Sequence, residues 1–123
     1  MFHSFSSSRA RLLSLAVVVL VASAFAGPAL AARTHATATI KVAASEFKFV
    51  LSTKTVAHGT VTFTVVNKGH IKHDFKIAGK VTPMIQPGKS AKLTVTLKAG
   101  KYPYLCTVPG HAAAGMKGTL VVK

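Results

Sequence analysis

The sequence predicts an all-β fold, an antiparallel β-sandwich of seven to eight short strands, on three observations. Beyond residue 38 apolar residues recur with period two, the pattern of half-buried strands. Turn-forming residues interrupt those runs at short intervals, at His58-Gly59, Asn67-Lys68-Gly69, Ala78-Gly79, Pro87-Gly88, Ala99-Gly100 and Pro109-Gly110. No segment beyond residue 31 carries a helical period. Taken in order, Ile40 and Val42 share one face, and Phe47, Phe49 and Leu51 share the next, with Lys48 opposite. In "GTVTFTVVNKG" the apolar face is Val61, Phe63 and Val65, set against Thr60, Thr62 and Thr64. In "HDFKIAG" His73, Phe75 and Ile77 lie on one face, with Asp74 and Lys76 on the other. Leu93, Val95 and Leu97 alternate with Thr94, Thr96 and Lys98, and in "GKYPYLC" Tyr102, Tyr104 and Cys106 share a face.

The first 31 residues differ from the rest. Arg9 and Arg11 precede an apolar run from about Leu12 to Ala26, and Ala29-Leu30-Ala31 fits an A-x-A cleavage site. That order is a secretory signal peptide, and the run is short for a membrane span, which needs about 20 residues. A retained anchor is the competing reading. The organisation expected is a leader over 1–31, a loose polar lead over 32–38 and one domain over 39–123. Such a domain holds one modest core without disulfides. An exported protein, periplasmic, extracellular or at the cell surface, follows.

Of the 16 lysines and arginines only Arg9 and Arg11 lie in the leader; Glu46 and Asp74 are the only acidic residues in the chain. This excess solubilises the surface, and it also favours acidic protein partners or an anionic cell surface. Nucleic acid is excluded as a partner by export and by the even scatter of the lysines. The chain is expected to be a monomer.

Cys106 is the only cysteine, so the usual extracellular use of cysteine, a disulfide, is closed to it within the chain. It stands in "CTVPGHAAAGMKG", a C-x4-H-x4-M loop that leaves one strand at Cys106 and rejoins another near Gly118. With aromatic faces inward, His73 and Cys106 reach the same end of the core. Burying an imidazole and a thiol there is costly unless each has a partner, and a metal ion satisfies both. Pro109-Gly110 supplies a turn that brings His111 back toward the sulfur, and the small residues Ala112 to Gly115 let Met116 return. Two imidazoles, one thiolate and one weak axial thioether, from His73, His111, Cys106 and Met116, suit copper in a type 1 site. Zinc gains nothing from a thioether, and a metal-free structural cluster is the bland alternative. His35, His58 and His70 read as solvent-facing, and Met84 as packing.

"KHDF" with His73 and "YPYLCTVPGHAAAGMKGTLVV" with Cys106, His111 and Met116 resemble the cupredoxins, the blue copper proteins of the plastocyanin and azurin family. The Cys-x4-His-x4-Met interval looks most like auracyanin and rusticyanin; plastocyanin has a shorter Cys-to-His gap and azurin a shorter His-to-Met gap. The hairpin "QPGKSAKLTVTLKAGKYPYLC" also fits. The resemblance implies a Greek-key sandwich and a one-electron carrier without substrate chemistry. One residue departs from the pattern: Asp74 stands where the family often has Asn. Its carboxylate is expected to tie the two ligand segments together through backbone N–H groups or the Thr107 hydroxyl.

Three functions compete. The leading one is electron transfer between redox partners such as a cytochrome, reductase or oxidase with an acidic docking patch. Copper storage, delivery or tolerance is the alternative, and it would favour exposed, Met-rich or His-rich sites. An enzyme pairing Cys106 with a histidine as nucleophile and base leaves His73 and Met116 without a role, so an enzyme is not expected.

Overall fold

The computed structural model describes residues 22–29 and 35–123. Residues 22–29 form neither helix nor strand. The rest of the expected leader, including most of its apolar run and part of its cleavage site, lies outside the described residues, as do residues 32–34 of the lead. Among the described residues no helix is long and apolar enough to cross a membrane.

The described part of the domain contains nine strands: β1 (Ala36–Ser45), β2 (Lys48–Leu51), β3 (Thr55–Val56), β4 (Gly59–Asn67), β5 (Lys76–Ile77), β6 (Lys80–Val81), β7 (Ser90–Leu97), β8 (Gly100–Leu105) and β9 (Lys117–Val122). They form two sheets, ordered β2-β1-β4-β7 and β3-β9-β8-β5-β6. After β2 the chain crosses repeatedly between the sheets, staying in one only through β5–β6 and β8–β9, which is how a sandwich encloses one core. The all-β sandwich is the fold expected, with two refinements. The count exceeds eight because β3, β5 and β6 are two-residue pairings too short to show a period. The sheets are mixed, not antiparallel throughout, because β1 pairs in parallel with β4 and β3 with β9.

The parallel pairing of β1 explains why the strand begins at Ala36, inside the segment expected to be a loose lead. Ala36, Thr37 and Ala38 register against Gly59, Thr60 and Val61 of β4. Their side chains are small and carry little pattern, so the backbone ladder makes the strand. Gly59 is required at its start: its φ is 136°, and a Cβ there would collide with the Ala36 carbonyl.

The alternation read from the sequence sets the core. Val61, Phe63 and Val65 are fully buried, and Thr60, Thr62 and Thr64 face outward, where Thr62 and Thr94 share a hydrogen bond across β4 and β7. Phe49, Phe63, Phe75 and Tyr104 form the aromatic centre, joining the two sheets through contacts at 5.1–6.0 Å between ring centroids. Such offset and edge-on pairs add roughly 0.5–1.5 kcal/mol each beyond burial. Burial pushes the Tyr104 phenol up from its ordinary pKa. Its ring lies over Gly118, its partner on β9, where a Cβ would strike the ring and hydroxyl.

Phe47 does not share the face of Phe49 and Leu51. It sits in the tight turn between β1 and β2 with φ 61°, and is 43% exposed. A left-handed conformation costs a non-glycine residue about 1–2 kcal/mol. Here it turns the ring edge-on to His111, with centroids 5.2 Å apart at 89°.

Candidate metal centre

One end of the sandwich gathers His73, Cys106 and His111, all buried, with their potential ligand atoms within 4.8 Å of one another. His73 Nδ1 and His111 Nδ1 stand 3.1 Å apart, and Cys106 Sγ is 3.6 Å from His111 Nδ1. Met116, the fourth residue read from the sequence, is fully buried.

The backbone holds each of them. His73 is clamped to Ile85 by two hydrogen bonds, its N–H donating to the Ile85 carbonyl at 3.1 Å and its carbonyl accepting from Ile85 N–H at 2.7 Å. Val108-Pro109-Gly110-His111 is a tight turn: His111 N–H donates to the Val108 carbonyl at 3.1 Å, and Gly110 has φ 84°. Proline then positive-φ glycine is the type II pattern, so the swing of His111 toward the sulfur expected from Pro109-Gly110 is observed. Met116 N–H donates to the His111 carbonyl, and Cys106 N–H to the Met116 carbonyl, both at 3.1 Å. Three residues of the loop are thus locked to one another before any ion enters.

Asp74 performs the tie expected of it, although it does not lie on the solvent side of its strand. It is 4% exposed, Oδ1 accepts from Thr107 N–H at 2.6 Å, and Oδ2 accepts from the Thr107 hydroxyl. The clamp joins the neighbour of His73 to the neighbour of Cys106. Asp74→Ala removes both bonds and is expected to destabilise the domain by about 1.5–3 kcal/mol, the scale of hydrogen bonds to a charged group. Asp74→Asn keeps an oxygen for the Thr107 N–H and is expected to lose less. Urea unfolding of the metal-free proteins measures both.

Two residues at this end carry work that the sequence reading did not assign. Asn67, fully buried, donates from Nδ2 to the carbonyls of Ile71 and Ile85, both at 2.8 Å, and accepts from Gly69 N–H at 2.9 Å. It shapes residues 68–72 and braces Ile85, the clamp of His73. Glu46, in the β1–β2 turn, accepts at Oε1 from His70 N–H at 2.5 Å and Ile71 N–H at 3.1 Å. Those donors, the His70 N–H above all, hold its carboxyl down at a pKa of about 2. The available signal was rarity: Glu46 and Asp74 are the only carboxylate side chains in a strongly basic chain, and both lie at this end.

The electrostatics suit a soft cation. Burial, with His111 beside it, pushes the His73 pKa down, which favours the neutral ring with a lone pair to offer. Burial pushes the Cys106 thiol up, so an ion must displace its proton to gain the thiolate. Two nitrogens and a sulfur, converging and dry, fit copper better than a hard cation. Among the described residues the remaining histidines face solvent, as expected. His35, His58 and His70 are exposed, with His58 Nδ1 against the Lys123 carbonyl at 3.0 Å, and Met84 is 43% exposed.

Comparison with known proteins agrees with this site. The chain is 52% identical over 42 residues to auracyanin-B of Chloroflexus aurantiacus, covering 33% of this chain and 18% of that protein. It is 49% identical over 41 residues to the copper-resistant cuproprotein CopI of Pseudomonas aeruginosa, covering 32% of this chain and 23% of the relative. These matches span less than a quarter of either relative's length. The fold matches that of auracyanin from Roseiflexus castenholzii, with a TM-score of 0.61 at 24% identity over 72% of this chain and 98% of that one. The family described as copper binding proteins, plastocyanin/azurin family, matches residues 29–123, and the chain belongs to it.

Proposed function

We propose that this protein is a one-electron carrier with a type 1 copper site. His73 Nδ1, His111 Nδ1 and Cys106 Sγ would hold the ion, and the Met116 thioether would complete the donor set as a weaker ligand. The observation that carries the reading is three buried soft-metal donors within 4.8 Å of one another, two of them, Cys106 and His111, on a loop already closed by its own backbone hydrogen bonds. Copper, when bound, supplies the reversible exchange of a single electron. The side chains keep the donor set nearly constant between the two charge states, because Ile85, Asn67 and the Asp74–Thr107 tie restrain them from outside. Little rearrangement means a low barrier. His73 is fully buried and His111 retains 8% exposure, so the edge of His111 is the route for the electron.

The reading extends to surroundings and partners. The charge excess favours a redox partner with an acidic patch, and lysine steering makes the encounter salt-sensitive on the scale of a Debye length of about 8–10 Å. The leader read from residues 1–31 supports a place outside the cytoplasm. No substrate chemistry is assigned to it.

Similarity to CopI favours copper tolerance as a second reading. The two separate on exchange: a carrier cycles electrons and retains its ion, whereas a tolerance protein releases copper to an acceptor. Adding one equivalent of Cu(II) to the metal-free protein is expected to produce an intense visible band and a reversible one-electron wave. Met116→Leu is expected to keep the colour and raise the potential. Loss of the ion to a chelating acceptor within the time of electron exchange would favour tolerance; a colourless complex would refute the type 1 assignment.

A further inference from the structure

The buried end of the sandwich contains one polar atom whose needs are unmet. Among the described residues His73 Nε2 has no hydrogen-bond partner, and the Glu46 carboxylate lies beside it, with Oε1 at 3.6 Å. An imidazole that offers Nδ1 to a metal keeps its proton on Nε2, which makes Nε2 a donor. A buried donor without an acceptor loses its solvation without compensation. Metal-ligating histidines almost always give that second N–H to a carboxylate, carbonyl or water, which sets both tautomer and ring orientation.

The chain builds a place for this carboxylate. Glu46 is thrown across to residues 68–72 by the β1–β2 turn, where the N–H groups of His70 and Ile71 receive Oε1. Asn67 holds that loop in shape from within. Gly69 leaves the space, since a Cβ there would collide with Glu46 Oε1. The side chain is one-third exposed, yet its oxygen is directed inward by two backbone donors. Both carboxylate side chains of the chain thus serve the same end, Asp74 bracing the Cys106 segment and Glu46 facing His73.

We propose that Glu46 is a positioning residue for His73: its carboxylate accepts the Nε2–H and holds the ring with Nδ1 toward Cys106 and His111. The inference rests on the ligand assignment proposed above, and it adds a lever on the site from outside the four ligands. An acceptor bearing full negative charge strengthens the imidazole as a donor and favours the more highly charged state of the ion, which lowers the potential.

The test combines the metal-free and copper-loaded proteins. In wild-type protein without metal, nitrogen-15 NMR is expected to show His73 as the Nε2–H tautomer, with that proton protected from exchange. Glu46→Gln keeps an oxygen for the His70 and Ile71 N–H groups but removes the charge. It is expected to shift His73 toward the other tautomer, weaken copper binding about 10–100-fold and raise the potential. Should Glu46→Gln lose only stability, with the His73 nitrogen shifts, copper affinity and potential of wild type, Glu46 is a loop anchor and the proposal is wrong. Should the variant not fold, the wild-type spectrum decides, since a His73 ring protonated on Nδ1 would refute the proposal. Failure of wild-type protein to bind copper would instead remove the ligand assignment, while the metal-free tautomer still reports on the Glu46–His73 pair.

Discussion

Cys106→Ser is expected to abolish the intense visible band of the copper-loaded protein while leaving the sandwich folded. The band requires a thiolate sulfur bound to the ion, and a serine hydroxyl at this position offers neither the softness nor the acidity to replace it. The fold survives because the residue's structural tie is through its backbone: Cys106 N–H donates to the Met116 carbonyl at 3.1 Å regardless of side chain. The cost in stability is that of placing a hydroxyl where Cys106 is 1% exposed, about 1–3 kcal/mol on the scale of protein substitutions. Visible absorption with added Cu(II), alongside far-ultraviolet circular dichroism, separates the two effects. A Cys106→Ser protein that stayed intensely coloured would show that another residue supplies the strong ligand.

Phe75→Ala is expected to produce the largest loss of stability of any single change considered, about 3–5 kcal/mol. Phe75 is fully buried and touches three aromatic rings, Phe49 at 5.2 Å, Phe63 at 5.1 Å and Tyr104 at 5.5 Å between centroids. Those partners come from β2, β4 and β8, so the ring bridges both sheets, and neighbours fixed to three strands cannot collapse into the space it leaves. For a domain whose total stability is of order 5–15 kcal/mol, such a loss brings unfolding within reach of mild denaturant. Urea unfolding of the metal-free protein measures it. Phe75 follows His73 and Asp74 directly, so the variant also tests how far the metal end depends on the core: Phe75→Leu, with a smaller void, is expected to lose less stability and keep the copper spectrum. A cost near 1 kcal/mol for Phe75→Ala would mean that the sheets close over the gap.

The two substitutions act on different parts of one design. Cys106 lies where the alternation of β8 runs out into the loop, and Phe75 where the segment carrying His73 enters the core. The core positions the strand ends, the strand ends position the loops, and hydrogen bonds within the loops bring donor atoms to within a few ångströms of one another. Asp74 and Asn67 act between these levels: each is a buried polar group that bonds backbone atoms of another segment, Asp74 taking the Thr107 hydroxyl as well.

The convergence of His73, Cys106 and His111 and the burial of Met116 were legible from residue order, because period-two alternation says which side chains turn inward and because the Cys106 loop carries its own turn chemistry in Pro109-Gly110. The core residues Val61, Phe63, Val65, Val95 and Leu97 were legible for the same reason. An alternating pattern, however, identifies a face and not a neighbour. The parallel pairing of β1 with β4, the start of β1 at Ala36 and the two-residue strands arise from backbone ladders between distant segments, and backbone groups are the same whatever residue carries them. Phe47 left its strand because the tight β1–β2 turn took it. Glu46 and Asn67 found their roles only when residues 68–72 came within reach, for a side chain that hydrogen-bonds remote N–H and carbonyl groups leaves no spacing to detect. Chemistry encoded in residue type and local order could be read from the chain. Chemistry that depends on which backbone groups meet across the fold was decided by packing.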